Sequence, residues 1–103
     1  DQIGVIEMHE AFAAQVLANI HGLGSASYCQ EKLGRSTPVG EVDPEKVNLW
    51  GGSISLGHPF GATGGRLILQ CLDLLKTQDE QFGLISACAA GGMGSAMVFE
   101  RTT

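Results

Sequence analysis

Phe82-Gly83-Leu84-Ile85-Ser86-Ala87-Cys88-Ala89-Ala90-Gly91-Gly92-Met93-Gly94-Ser95-Ala96-Met97-Val98-Phe99-Glu100 reads as two strands and the turn between them. Phe82 to Ala87 and Ser95 to Glu100 are apolar runs of strand length, and the residues between them are small or glycine, so the two strands are expected to pair antiparallel. Upstream, from about Gly61 to Lys76, Ile68, Cys71, Leu72 and Leu75 recur at helical spacing with Leu67 and Leu74 beside them, which predicts a largely buried helix. Thr77 to Gln81 is its polar exit. Near the start, Ile3 to Glu7 is a short apolar run that reads as a buried strand. From Glu10 to about His21, the spacing of Phe12, Ala13, Val16, Leu17 and Ile20 predicts an amphipathic helix that Gly22 stops. Residues 22–47 carry Gly24, Gly34, Pro38, Gly40 and Pro44 and read as a long excursion with one short helix at most, near Ser27 to Leu33. Val47 to Trp50 reads as a short strand. Strand, helix, excursion, strand, helix, strand, strand is an α/β order.

Composition narrows the function classes. A chain of 103 residues supports one small domain or part of a larger one, and 44% hydrophobic against 17% charged residues is the balance of a packed core rather than a disordered tail. A formal net charge of −5 with no basic stripe argues against non-specific nucleic-acid binding. No apolar run approaches the roughly 20 residues of a membrane span. Cys29, Cys71 and Cys88 are an odd number without a CxxC pair, which disfavours a disulfide framework or a zinc cluster; a reducing compartment is expected, the cytoplasm in a bacterium or the mitochondrial matrix in a eukaryote.

Three segments place a reactive side chain where an apolar run ends. In Gly51-Gly52-Ser53-Ile54-Ser55-Leu56-Gly57-His58-Pro59-Phe60-Gly61-Ala62-Thr63-Gly64, the proline pushes His58 toward extended backbone, and the glycines let backbone and ligand approach closely. The helix that follows directs its positive end back at the imidazole, which favours a neutral ring and a bound anion. Alone, His58 would be an ordinary loop histidine beside a proline turn. His9-Glu10-Ala11-Phe12 and Cys88-Ala89-Ala90-Gly91-Gly92-Met93-Gly94 have the same character. Backbone N–H groups in a turn of small residues lower a thiol's pKa and point at an oxyanion.

These three segments, in this order and across the whole chain, resemble the active-site loops of the C-terminal domain of thiolases. The histidine that opens the first motif, where most members have asparagine, and the Cys-Ala-Ala-Gly of the last are similar to the 3-ketoacyl-CoA thiolase subunit of the fatty-acid β-oxidation complex. The resemblance implies a thiolase-like α/β fold with a mixed sheet and helices. It implies that Cys88 moves the α-proton of acetyl-CoA, that His58 hydrogen-bonds the thioester oxygen and helps activate the nucleophilic cysteine, and that His9 holds the water that asparagine holds elsewhere. Phe12 would line the acyl or pantetheine channel, although a helical phenylalanine is by default core. Gly57, Ala90 and Gly91 would border the substrate, with Ala90 standing where many thiolases have the glycine of a Cys-x-Gly motif. Glu10 either orients the loop or complements the helix dipole. Cys29 and Cys71 read as structural.

By the same resemblance, the acylated cysteine lies in an N-terminal domain. The chain is expected to be a partial C-terminal domain spanning 1–103, truncated at its N-terminal side by a first strand and helix, with that strand central in the family's sheet. Strand edges left exposed would tend to pair with another chain. The parent would be a homodimer that cleaves 3-oxoacyl-CoA with CoA, using coenzyme A as substrate, no other cofactor and no metal. The hydratase/dehydrogenase subunit of the β-oxidation complex is its expected partner, and the isolated chain is expected to be inactive. The alternatives are a biosynthetic acetoacetyl-CoA thiolase, a sterol-carrier-type thiolase, and a non-catalytic thiolase-like module that binds acyl-CoA or a partner.

Overall fold

The computed structural model describes residues 2–102; residues 1 and 103 of the expected domain lie outside the described residues. Its elements are β1 (Ile3–Met8), α1 (Ala13–Gly24), α2 (Ala26–Leu33), a 3-10 turn at Pro44–Lys46, α3 (Ser53–Leu56), α4 (Thr63–Thr77), β2 (Phe82–Ala89) and β3 (Met93–Glu100). The sheet order is β1-β2-β3: β1 runs parallel to β2, and β2 antiparallel to β3. The sheet is therefore mixed, as expected. The hairpin extends closer to its turn than the apolar pattern indicates, down to the pairs Cys88–Gly94 and Ala89–Met93. Left-handed φ values of 86° at Gly91 and 76° at Gly92 allow this, a conformation that costs glycine least.

Strand alternation sorts β1 onto two cores. Val5 packs with Leu67, Cys71, Leu74 and Leu75 of α4 and with Ile85 on one face. Ile6 and Met8 pack with Val16, Ile20 and Leu23 of α1 and with Leu84 on the other. Helices thus cover both faces of the parallel pair, and β1 is buried from both sides, as parallel strands are. By the same two-residue period, Glu7 and His9 fall on the side of Val5 and α4.

Several boundaries differ from the reading of the sequence. The first helix begins at Ala13 rather than Glu10, because Glu10 is engaged elsewhere: its Oε1 accepts from the Ile54 amide at 3.1 Å. It also runs past Gly22 to Gly24, since a buried Gly22 lets the Tyr28 ring of α2 lie close. The expected strand at Val47 to Trp50 is reduced to one parallel bridge, Ile6 with Val47. Asn48 then turns the chain with φ 50°. Its amide nitrogen donates to Ile6 O at 2.9 Å, its Oδ1 accepts from Met8 N at 2.9 Å and its Nδ2 donates to Met8 O at 2.9 Å. Among the described residues β1, β2 and β3 hydrogen-bond in succession, with β2 in the middle. The open edge belongs to β3, where Met93, Met97 and Val98 are exposed.

Gly83 marks the tightest approach of sheet and helix. A β-carbon there would lie 2.5 Å from Cys71 Sγ and 3.3 Å from a Leu75 methyl. Both neighbours are fully buried and cannot yield cheaply. Gly83→Ala is expected to destabilise the domain by about 1–3 kcal/mol, and a Cys71→Ala background is expected to remove most of that cost. A double-mutant cycle by urea denaturation checks this; equal costs in both backgrounds would contradict the packing argument.

Candidate functional site

The site lies where β1 and β2 end. The backbone leaves β1 at His9, whose N–H still donates to Ser86 O of β2 at 2.8 Å, so the ring is delivered from a rigid base. Its Nδ1 lies 2.7 Å from the hydroxyl of Ser53, the first residue of α3, and both residues are buried. The His9 and His58 rings are 4.2 Å apart between centroids, tilted by 47°. Two motifs separated by almost fifty residues therefore meet ring to ring.

His58 reaches this place by a short path. Gly57 ends α3 with φ 100°, a left-handed conformation in which no neighbour comes within 4 Å of a β-carbon. Pro59 O then accepts from the amides of Ala62 and Thr63, forming the entry turn to α4. His58 thus precedes the helix without joining it, and its Nδ1 lies 2.7 Å from Thr63 Oγ1 at the first residue of α4. Thr63 Oγ1 also lies 3.1 Å from Pro59 O, to which it can donate. When the hydroxyl donates to Pro59 O, a neutral His58 carries its hydrogen on Nδ1 and keeps a free lone pair on Nε2. The exposed Phe60 ring sits 4.8 Å from His58.

Cys88 occupies the last turn of β2, exposed, with its thiol directed at Ala11 O at 4.0 Å, the outer limit of a thiol hydrogen bond. Ala11 is two residues beyond His9, so the third motif abuts the first. Ala90 and Gly91 lie in the exposed hairpin turn beyond it. Phe12 is not core: at the N-cap of α1 its side chain is 78% exposed beside this region. Glu10 acts as a tie between motifs through its bond to Ile54 N. Cys29 and Cys71 are buried and free; the Cys29 thiol donates to Gly22 O at 3.3 Å.

Behind the rings lies a polar layer that the motifs do not announce. Arg66 of α4 donates from one Nη to Gln70 Oε1 at 3.0 Å and from the other to Ser53 Oγ at 3.2 Å. Glu7 is wholly buried, and its two carboxylate oxygens, like Arg66 Nε, have no hydrogen-bond partner among the described residues. Burial pushes the Glu7 carboxyl up to about 7; Arg66 opposes this and Glu10 adds to it. Desolvation dominates because Arg66 makes no direct ion pair with it. Burial also lowers the pKa of His9, helped by His58 and Arg66 and opposed by Glu10, which favours a neutral ring. The Cys71 thiol, buried and near Glu7, is pushed up to about 11, so it stays protonated and inert. The two-residue alternation Val5, Glu7, His9 was the available signal for Glu7. Ser53 and Arg66 gave none, because their partners lie 44 and 13 positions away.

Comparison with known proteins identifies the family. The family model for the thiolase C-terminal domain matches residues 1–101. The chain is 57% identical over 99 residues to a 3-ketoacyl-CoA thiolase of Shigella flexneri serotype 5b (strain 8401), covering 96% of this chain and 23% of that protein. It is 58% identical over 96 residues to the 3-ketoacyl-CoA thiolases of Escherichia coli O157:H7 (strain EC4115 / EHEC) and of Escherichia coli (strain K12 / MC4100 / BW2952), covering 93% of this chain and 22% of each relative. The chain thus spans less than a quarter of the length of these relatives. It belongs to the thiolase family, as a C-terminal domain.

Proposed function

We propose that this chain supplies the proton-transfer half of a 3-ketoacyl-CoA thiolase, which cleaves a 3-oxoacyl-CoA with CoA to give a shortened acyl-CoA and acetyl-CoA. The observation that carries the reading is the meeting of His9 and His58 at 4.2 Å beside the loop that the Cys88 thiol touches. Thiolysis needs a group that moves a proton at the α-carbon of a thioester and donors for the enolate oxygen.

The steps divide among these residues. His58 Nε2, with its lone pair free, accepts the proton of the nucleophilic cysteine, which the N-terminal domain provides. The resulting Nε2–H donates to the thioester oxygen. The cysteine attacks the 3-keto carbon, the bond between the α- and β-carbons breaks, and its electron pair becomes the enolate of acetyl-CoA. Cys88 delivers its thiol proton to that α-carbon and becomes a thiolate, while His9 and His58 hold the enolate oxygen. CoA then enters, gives its thiol proton to the Cys88 thiolate and attacks the acyl carbon; the nucleophilic cysteine leaves as a thiolate and takes its proton back from His58. Phe12, Gly57, Ala90 and Gly91 border the entering thioester. Coenzyme A is the substrate and no metal takes part. The parent acts as a cytoplasmic homodimer in fatty-acid β-oxidation, with the hydratase/dehydrogenase subunit as partner.

The test is thiolysis of 3-oxoacyl-CoA by the full-length protein that carries this chain. CoA-dependent cleavage to acetyl-CoA is the expected result. Binding of acyl-CoA without cleavage would instead favour the non-catalytic module.

A further inference from the structure

We infer that Ser53 and Arg66 fix His9 as the neutral tautomer with its hydrogen on Nε2, so that His9 presents a donor to the site while its neighbour His58 presents an acceptor. The inference rests on the reading of His9 as an oxyanion-site residue, and it adds the positioning residues that make it one.

The hydroxyl of Ser53 has two contacts within hydrogen-bond distance among the described residues: His9 Nδ1 at 2.7 Å and an Arg66 Nη at 3.2 Å. Arg66 is always a donor, so Ser53 Oγ accepts from it. The hydroxyl proton then has one acceptor in reach, the lone pair of His9 Nδ1. Were Nδ1 protonated, three hydrogens would meet at one buried oxygen and the serine proton would have no partner, an arrangement that costs about 1–3 kcal/mol. A guanidinium donating to Ser53 also polarises its O–H toward the ring. The groups bearing on the charge of His9 are His58 and Arg66, which both disfavour the imidazolium, and Glu10, which favours it; Glu7 faces Arg66 from β1. His58 takes the opposite assignment when Thr63 directs its own proton to Pro59 O. Two adjacent imidazoles with opposed tautomers divide the work: one takes a proton from a thiol, and the other holds an oxyanion or the water beside it.

The test is 15N NMR of the full-length protein labelled at histidine, with His9 assigned by the loss of its signals in His9→Asn. The expected spectrum has His9 Nε2 protonated and Nδ1 unprotonated, at the shift of a nitrogen that accepts a hydrogen bond. Ser53→Ala should return Nδ1 to the shift of a free accepting nitrogen and lower kcat about tenfold with KM within twofold, as loss of a partner that orients an active-site ring does. Should Ser53→Ala not fold, Arg66→Gln replaces it: removing the cation raises the pH at which His9 titrates in the same spectra. A protonated Nδ1 in the wild type, an Nδ1 shift unmoved by Ser53→Ala, or a His9 titration unmoved by Arg66→Gln overturns the inference. The spectra read the tautomer whether or not the protein cleaves 3-oxoacyl-CoA, so failure of the inference and failure of the functional reading remain distinct.

Discussion

Replacing Cys88 by alanine in the full-length enzyme is expected to lower steady-state thiolysis by on the order of 10²- to 10⁴-fold, the range of general acid–base catalysis, while leaving acylation of the nucleophile measurable. The side chain is exposed at the end of β2, and its thiol makes one contact at the outer limit of hydrogen bonding. Removing it therefore costs little stability. A loss of turnover would report chemistry rather than misfolding. His58→Ala should behave differently. In the proposed mechanism its Nε2 serves both the nucleophile and the thioester oxygen, so single-turnover acylation and steady-state cleavage should fall together. Comparing the two rates across the two variants separates the roles. Near-normal turnover in Cys88→Ala would show the cysteine to be structural.

The second large effect concerns stability against pH. Glu7 is wholly buried, and its carboxyl titrates near 7 in the folded chain against an ordinary 4.5. Between these values the unfolded chain releases the proton while the folded chain keeps it. Stability is therefore fully present below about pH 4.5 and declines as pH rises through 7. The difference in pKa corresponds to about 3 kcal/mol in total. Glu7→Gln carries no titrating proton and is expected to escape this decline. Urea denaturation of both proteins at pH 5 and pH 8 checks it: the variant should gain on the wild type by most of those 3 kcal/mol at the higher pH. A gap independent of pH would mean that the carboxylate finds a partner when it ionises.

The elements legible from the sequence are those whose signal is local. Leu67, Ile68, Cys71, Leu74 and Leu75 repeat at helical spacing, and α4 follows within two residues of the expected bounds. The glycines at 91 and 92 sit between two apolar runs, and the hairpin follows. His9, His58 and Cys88 were singled out because each stands where an apolar run ends, and the structure brings the two histidine rings together and the Cys88 thiol beside Ala11. What escaped depends on distant partners. Val47 has the side chain of a strand residue but only one bridge to make. Ser53–Leu56 is too short for periodicity to reveal a helix. Glu7 looks like the polar end of a strand until α4 closes over it, and Phe12 looks like core although nothing among the described residues covers it.

The two edges of the sheet are not equivalent, and Asn48 is the reason. With one main-chain and two side-chain hydrogen bonds it occupies Ile6 O, Met8 N and Met8 O, the groups at the C-terminal end of β1 that a further strand would claim there. An amide side chain imitates a peptide unit here, and asparagine tolerates the left-handed backbone that this imitation requires. The edge nearest the two histidines is thereby sealed against chance association, while β3 keeps its donors and acceptors open. Among the described residues the sheet consequently has a preferred side of growth: a further strand is favoured on β3 over the end of β1 from which His9 departs.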